Sequence, residues 1–193
     1  MKHTTKIILV SIMTMLFMFS NAQEDVKMTK EEQRKAKKAK IKEEKNETQD
    51  ANWVNYQKIA QEREYVVEFQ STFNPKTGGE LILTPSLNFL YMHGDSAIIQ
   101  FETPQYLSEN GLGGRTINGI VSNYKYNPPK DDKKPIFINF DVSHKFRAEP
   151  VNVSITVTKD DVTTITFGTI SSVYGTFMPV DRSSINIGVD MWK

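Results

Sequence analysis

The sequence predicts a mainly β protein: an antiparallel β-sandwich or partly closed barrel of about eight or nine strands, with an N-terminal helix at its edge. Three observations carry this. From Tyr65 onward, apolar residues recur at every second position, the spacing that sets them on one face of a strand. The alternating runs are short and are punctuated by turn residues such as "HGD" at 93–95 and "KDD" at 159–161,. No helical stretch lies between them, so the long crossovers that parallel pairing needs are missing.

Taken from the start of the chain, residues 1–22 read as a targeting signal. Lys2 and Lys6 are followed by an apolar run at 7–19, then by Ser20, Asn21 and Ala22 before Gln23,. The run is too short to cross a bilayer of roughly 30 Å as a helix, and no later segment is apolar enough to span. The expectation is an exported protein, periplasmic or secreted. The chain has no cysteine, hence no disulfide and no lipobox cysteine to carry a lipid. Its formal charge of +1 becomes −1 without Lys2 and Lys6. A balance so near zero argues against a general nucleic-acid binder.

Residues 23–50 form a charged segment. Nine Lys/Arg and eight Asp/Glu fall within 24–50, with few apolar residues. Thr29 and Glu32 have capping-box spacing, and Ala, Lys and Glu favour helix. Without an apolar face, this is expected to be a solvated, fraying helix or a linker. Residues 51–193 then hold a helix and the β-domain. Trp53, Tyr56, Ile59 and Ala60 make one helical stripe,, which needs a surface to cover. The strands follow: "EYVVEF", "ELIL", "SLNFLYM", "SAIIQF", "PIFINFDV", "VNVSITVT", "VTTITFGT" and "SVYGTFM".

The glycine-rich stretch at 110–126, "NGLGGRTINGIVSNYKY", invites a phosphate-loop reading. Gly111 and Gly113 match the first two glycines of a dinucleotide fingerprint, but the third position is Thr116. The residues that follow favour strand, not the helix whose N-terminus would hold the phosphate. The P-loop spacing is also absent. Residues 110–114 are therefore expected to be a loop needing positive φ, and Gly119 a bulge or close backbone approach within a strand.

"YMHGDSAIIQF" followed by "GLGGRTINGIVSNYKY" resembles domain-of-unknown-function family 4251, small exported proteins of Gram-negative bacteria. Gly94 and Asp95 match its G-D turn. Gly111, Gly113, Gly114, Thr116, Gly119, Asn123 and Tyr124 match its glycine-rich pattern, and "VYGTFMPV" looks like its closing strand. The resemblance covers about residues 24–193. It implies a signal peptide, a charged lead, a helix and a β-domain, and it supplies no activity and no catalytic residues.

Chemistry is sparse. His93 and His144 are the only histidines beyond the signal, too few for a transition-metal site without cysteine. The nucleophile motifs G-x-S-x-G and S-x-x-K are absent. Asp131-Asp132 and Asp160-Asp161 read as solvated turns, with a loose calcium site as the functional counter-reading. The lysine run at 34–42 lacks the apolar face an interfacial helix requires. No cofactor and no metal is expected, and no catalytic residue is assigned.

The reading favoured is a non-catalytic envelope module binding a small molecule, a glycan or an envelope protein. Arg115, Asn123, Tyr124 and Tyr126 are the candidate ligand-binding residues, with Tyr124 and Tyr126 on one strand face,. The alternatives are a carboxylate hydrolase using Asp95 or Asp141, and an assembly factor pairing through an edge strand or the helix stripe.

Overall fold

A computed structural model describes residues 29–74, 78–102, 114–131, 134–144, 149–168, 170–181 and 183–188. The expected signal and the loop at 110–113 lie outside them. The chain divides into two compact units, Met1–Glu44 and Lys45–Lys193. The described helix is α1 (Lys30–Glu62). Nine strands follow: β1 (Glu64–Asn74), β2 (Gly79–Ile82), β3 (Phe89–His93), β4 (Ser96–Glu102), β5 (Gly114–Asn127), β6 (Ile136–Ser143), β7 (Val151–Val157), β8 (Thr163–Phe167) and β9 (Ile170–Pro179).

In the first unit, α1 starts as its sequence dictates. Thr29 N–H donates to the Glu32 carboxylate at 2.7 Å, and Glu32 N–H donates back to Thr29 Oγ1 at 3.3 Å. This reciprocal cap satisfies two of the backbone donors that a helix start leaves without partners. The side chains of residues 29–44 are all exposed, as a segment with no apolar stripe must be.

In the second unit, every strand pairs antiparallel with its neighbour. The order is β2-β1-β3-β4-β5-β6-β7-β8-β9, with β1 also pairing β9. That last pairing closes eight strands into a barrel. β2 extends the ladder of β1 from Ser71↔Ile82 to Asn74↔Gly79, beyond the stretch of β1 that pairs with β3. The barrel, rather than the sandwich, is therefore the form this fold takes.

Alternation decides what fills it. Ile136, Ile138, Phe140 and Val142 of β6 point inward with Val153, Ile155 and Val157 of β7, all at most 1% exposed. Tyr65, Val67 and Phe69 of β1 and Phe177 of β9 join them. At one end, the second half of α1 lies over the strands. Trp53, Tyr56, Ile59 and Ala60 are all buried in the barrel core. Tyr56 meets Phe177 edge-on at 5.6 Å and donates its hydroxyl to Asp161 in the β7–β8 turn at 3.0 Å. Lys159 in the same turn pairs with Asp50 at 2.5 Å.

A second, outward-facing cluster joins Val66, Phe89, Tyr91 and Ile185. The chain after β9 returns over this face. Gln100 holds it there. Its Nε2 donates to the carbonyls of Leu87 (3.0 Å) and Asn186 (2.7 Å). Its Oε1 accepts from Thr116 Oγ1 and from Gly188 N–H, each at 2.8 Å. All four hydrogen-bonding positions of this fully buried amide are used,.

Two stability outcomes follow from these contacts. Trp53→Ala is expected to cost about 3–5 kcal/mol in urea unfolding, the range for emptying a large aromatic site. Trp53→Phe should cost clearly less, because the Trp53 indole N–H is buried without a hydrogen-bond partner and the smaller ring removes that unsatisfied donor. Gln100→Leu should cost more than about 3 kcal/mol, since it leaves several buried groups unpartnered at once. It should also render the chain after residue 180 sensitive to limited proteolysis.

Candidate functional site

The glycines of the 110–126 stretch that fall within the described residues serve space. Gly114 begins β5, and a Cβ there would sit 1.9 Å from the Phe101 carbonyl oxygen. At Gly119 a Cβ would lie 2.5 Å from Val142 Cγ1 and 2.7 Å from the Ser143 oxygen. The expected close approach at Gly119 is thus present. Gly114, expected as part of a loop with positive φ, is instead a strand residue chosen for lack of a side chain. Among the described residues of this stretch, the left-handed one is Asn123, with φ 55°. It sits in an irregularity between Ser122 and Lys125. The extra residue there re-aims β5 so that Tyr124 and Tyr126 both pack against the core,.

The four candidate residues separate into three places. Tyr124 lies under the end of α1. Its hydroxyl donates to the Ala60 carbonyl at 2.5 Å, and its ring stacks on Phe140 at 5.8 Å. The Arg63 guanidinium covers it 4.5 Å from the ring centroid. Arg63 itself has φ 58°, the left-handed conformation that usually ends a helix on glycine. An ion pair with Asp95 at 2.5 Å and the Tyr124 ring hold it in place. Tyr126, half-buried, shares the inner face with Tyr124. Asn123 is on the outer face, where its amide donates to Asp141 Oδ2 at 2.8 Å.

Arg115 is elsewhere. It stands opposite Phe101 in the β4–β5 ladder, so it shares the inner face, but it lies nine residues before Tyr124. At about 3.3 Å per residue the two are roughly 25–30 Å apart along β5. The structure therefore does not bring Arg115 together with Tyr124.

Arg115 has other neighbours at its own end of the barrel, away from α1. Phe69, Phe101 and Phe167 form a ring cluster there, with centroids 4.9 Å (Phe69–Phe101), 5.8 Å (Phe69–Phe167) and 5.1 Å (Phe101–Phe167) apart. Phe69 is fully buried, Phe101 and Phe167 are half-buried, and Arg115 is exposed. Sequence reasoning missed the two outer rings. The only signal available was that each closes an inward-facing series, 97-99-101 in β4 and 163-165-167 in β8.

Four carboxylates, Asp95, Asp141, Asp161 and Glu64, are already engaged. Asp141 accepts from Asn123 and from Asn152 Nδ2 (2.9 Å), and these amides hold its carboxyl below the usual carboxylate range. Asp161 anchors Tyr56, and Glu64 bonds the His93 ring at 2.8 Å. No group of three or more metal-ligating side chains occurs among the described residues. Among those residues, too, no helix is long and apolar enough to cross a membrane.

The family described as Domain of unknown function (DUF4251) matches residues 44–172. The chain belongs to the DUF4251 family. The match includes the second half of α1 and strands β1 to β8 and ends at the start of β9, so the expected closing-strand motif at 173–180 lies beyond it. A crystal structure of a DUF4251 family protein from Bacteroides eggerthii DSM 20697 is similar at 20% identity with a TM-score of 0.52. The similarity covers 67% of this chain and 88% of that one, and at this identity it supports the shared fold. No curated protein matches.

Within this DUF4251 barrel, the helix seat responds to alkali. Burial pushes the hydroxyls of Tyr56 and Tyr124 up to about 12, against about 10 in an unfolded chain. The neutral phenols are favoured by the fold, so their contribution is complete below about pH 10 and vanishes as pH rises toward about 12. The double variant Tyr56→Phe/Tyr124→Phe should lose about 1 kcal/mol per hydrogen bond at neutral pH. Its unfolding midpoint should also fall less steeply than the parent's between pH 10 and 12.

Proposed function

We propose that this DUF4251 protein is an exported, non-catalytic envelope module that binds a small molecule or glycan at the end of the barrel away from α1. One observation carries the reading: Arg115 shares the inner face with the half-buried rings of Phe101 and Phe167 at that end. A guanidinium with five donors beside two ring faces suits a ligand with an acidic group on an apolar or ring-shaped body. The opposite end is occupied by α1, so Tyr124 serves the helix seat in this reading. Support for export comes from the sequence of residues 1–22. Support for a non-catalytic role comes from Asp141, whose lowered carboxyl is the reverse of what a general acid needs,.

An assembly role has an observation of its own. The edge strand β2 is exposed along its whole length, with Ile82 73% and Leu81 43% exposed. The helix stripe is buried in the core, which leaves β2 as the edge suited to β-strand addition.

Native mass spectrometry of the protein isolated from its host envelope separates these readings. The expected result is a discrete added mass that leaves on denaturation. It should be lost in Arg115→Gln and retained in Tyr126→Phe, with unchanged circular dichroism in both. An adduct retained in Arg115→Gln would sink the site. A bare dimer dissociated by Ile82→Lys would replace it with the assembly reading.

A further inference from the structure

The charged half of α1 is not uniformly charged around its axis. At 100° per residue, Lys30, Arg34, Lys37, Lys38 and Lys42 fall within an arc of about 140°. The opposite side carries Glu32, Ala36, Ala39 and Glu43. One acid, Glu31, lies within the arc, where Lys35 beside the arc meets its charge, so the stripe stays net cationic. Glu31 pairs with Lys35 at 3.1 Å and Glu44 with Lys40 at 4.0 Å, both lysines lying outside the arc. Glu32 closes the cap on Thr29. None of the five stripe cations makes an ion pair with a described residue, and all are exposed. Residues 30–44 carry a net charge of +3, and residues 45–193 one of −3.

From this geometry we infer that the first half of α1 is a docking surface for an anionic lipid headgroup layer, adsorbed along the stripe without insertion. Five cations spread from Lys30 to Lys42 span about 18 Å of helix, a straight, one-sided array matched to a plane of phosphates. Ile41, 54% exposed, is the one apolar residue on the stripe, which provides no face for burial among acyl chains. Four of the five cations are lysines, a residue depleted at protein–protein interfaces. A helix entering a nucleic-acid groove is surrounded by phosphate, whereas here the reverse side holds two glutamates. The inference is independent of any ligand at the far end of the barrel.

The test is flotation of the protein with phosphatidylcholine vesicles, with and without phosphatidylglycerol. Binding should require phosphatidylglycerol and fall as salt rises. Each stripe cation contributes on the order of fivefold near an anionic surface, so Arg34→Gln/Lys38→Gln should weaken binding roughly 25-fold. Ala36→Glu/Ala39→Glu changes the net charge by the same amount on the reverse side, about one Debye length away, and should weaken it only about twofold. Gln and Glu are strong helix formers, so both variants keep the helix. Equal losses in the two variants, or binding indifferent to phosphatidylglycerol, would overturn the stripe. Tighter binding to duplex nucleic acid than to the vesicles would overturn the lipid assignment.

Discussion

The pairing of β1 with β9 is the constraint on which the rest of the barrel depends. Residues 65–72 meet residues 173–179 along seven register positions, interrupted by one irregularity at Phe69/Ser71. Gly175 stands opposite Phe69, and a Cβ there would come within 2.3 Å of the Glu68 carbonyl oxygen. Without that contact the sheet would be an open meander with two long edges and a core exposed along the seam. Closure also brings Phe177 under Tyr65, with centroids 4.7 Å apart, and beside Tyr56. The helix seat and the barrel seam therefore share a residue. Loosening one removes a packing partner from the other.

How much of this was legible depended on the range of each interaction. The stripe Trp53, Tyr56, Ile59, Ala60 was visible because it is a local period, and the same four residues are the buried ones of α1. Strands β6 and β7 were visible because their inward and outward residues alternate without exception in the core. Closure was invisible: it joins segments about a hundred residues apart, and neither β1 nor β9 carries a mark naming its partner. Gln100 was equally hidden. In "SAIIQF" it reads as an outward polar residue, and only the returning chain near residue 186 turns that position into a buried one.

The site expectations were separated by the length of one strand. Tyr124 and Tyr126 share a face, as spacing by two requires, but the tyrosine side chain gives no hint that a helix carbonyl waits for its hydroxyl. Arg115 and Tyr124 stood close in sequence, and closeness in sequence means distance in an extended strand. Gly114 illustrates a different ambiguity. Glycine is used both where φ is positive and where there is no room for a side chain, and the two uses look alike until the neighbouring carbonyl is placed. Asn123 takes a left-handed conformation at a bulge, where asparagine tolerates it better than most residues,.

The order of the strands around the barrel is their order in the chain, apart from β2, and this has a consequence for biogenesis. Each hairpin from β3 to β8 forms from material that has just emerged, but β1 must wait for β9. Until then, one edge of β1 remains a bare row of backbone donors and acceptors at the head of the growing sheet. A chain held unfolded until all its strands are available, as translocation across a membrane demands, never presents that edge to its neighbours half-built. A chain folding as it is made would present it throughout synthesis, when pairing between molecules competes with closure within one.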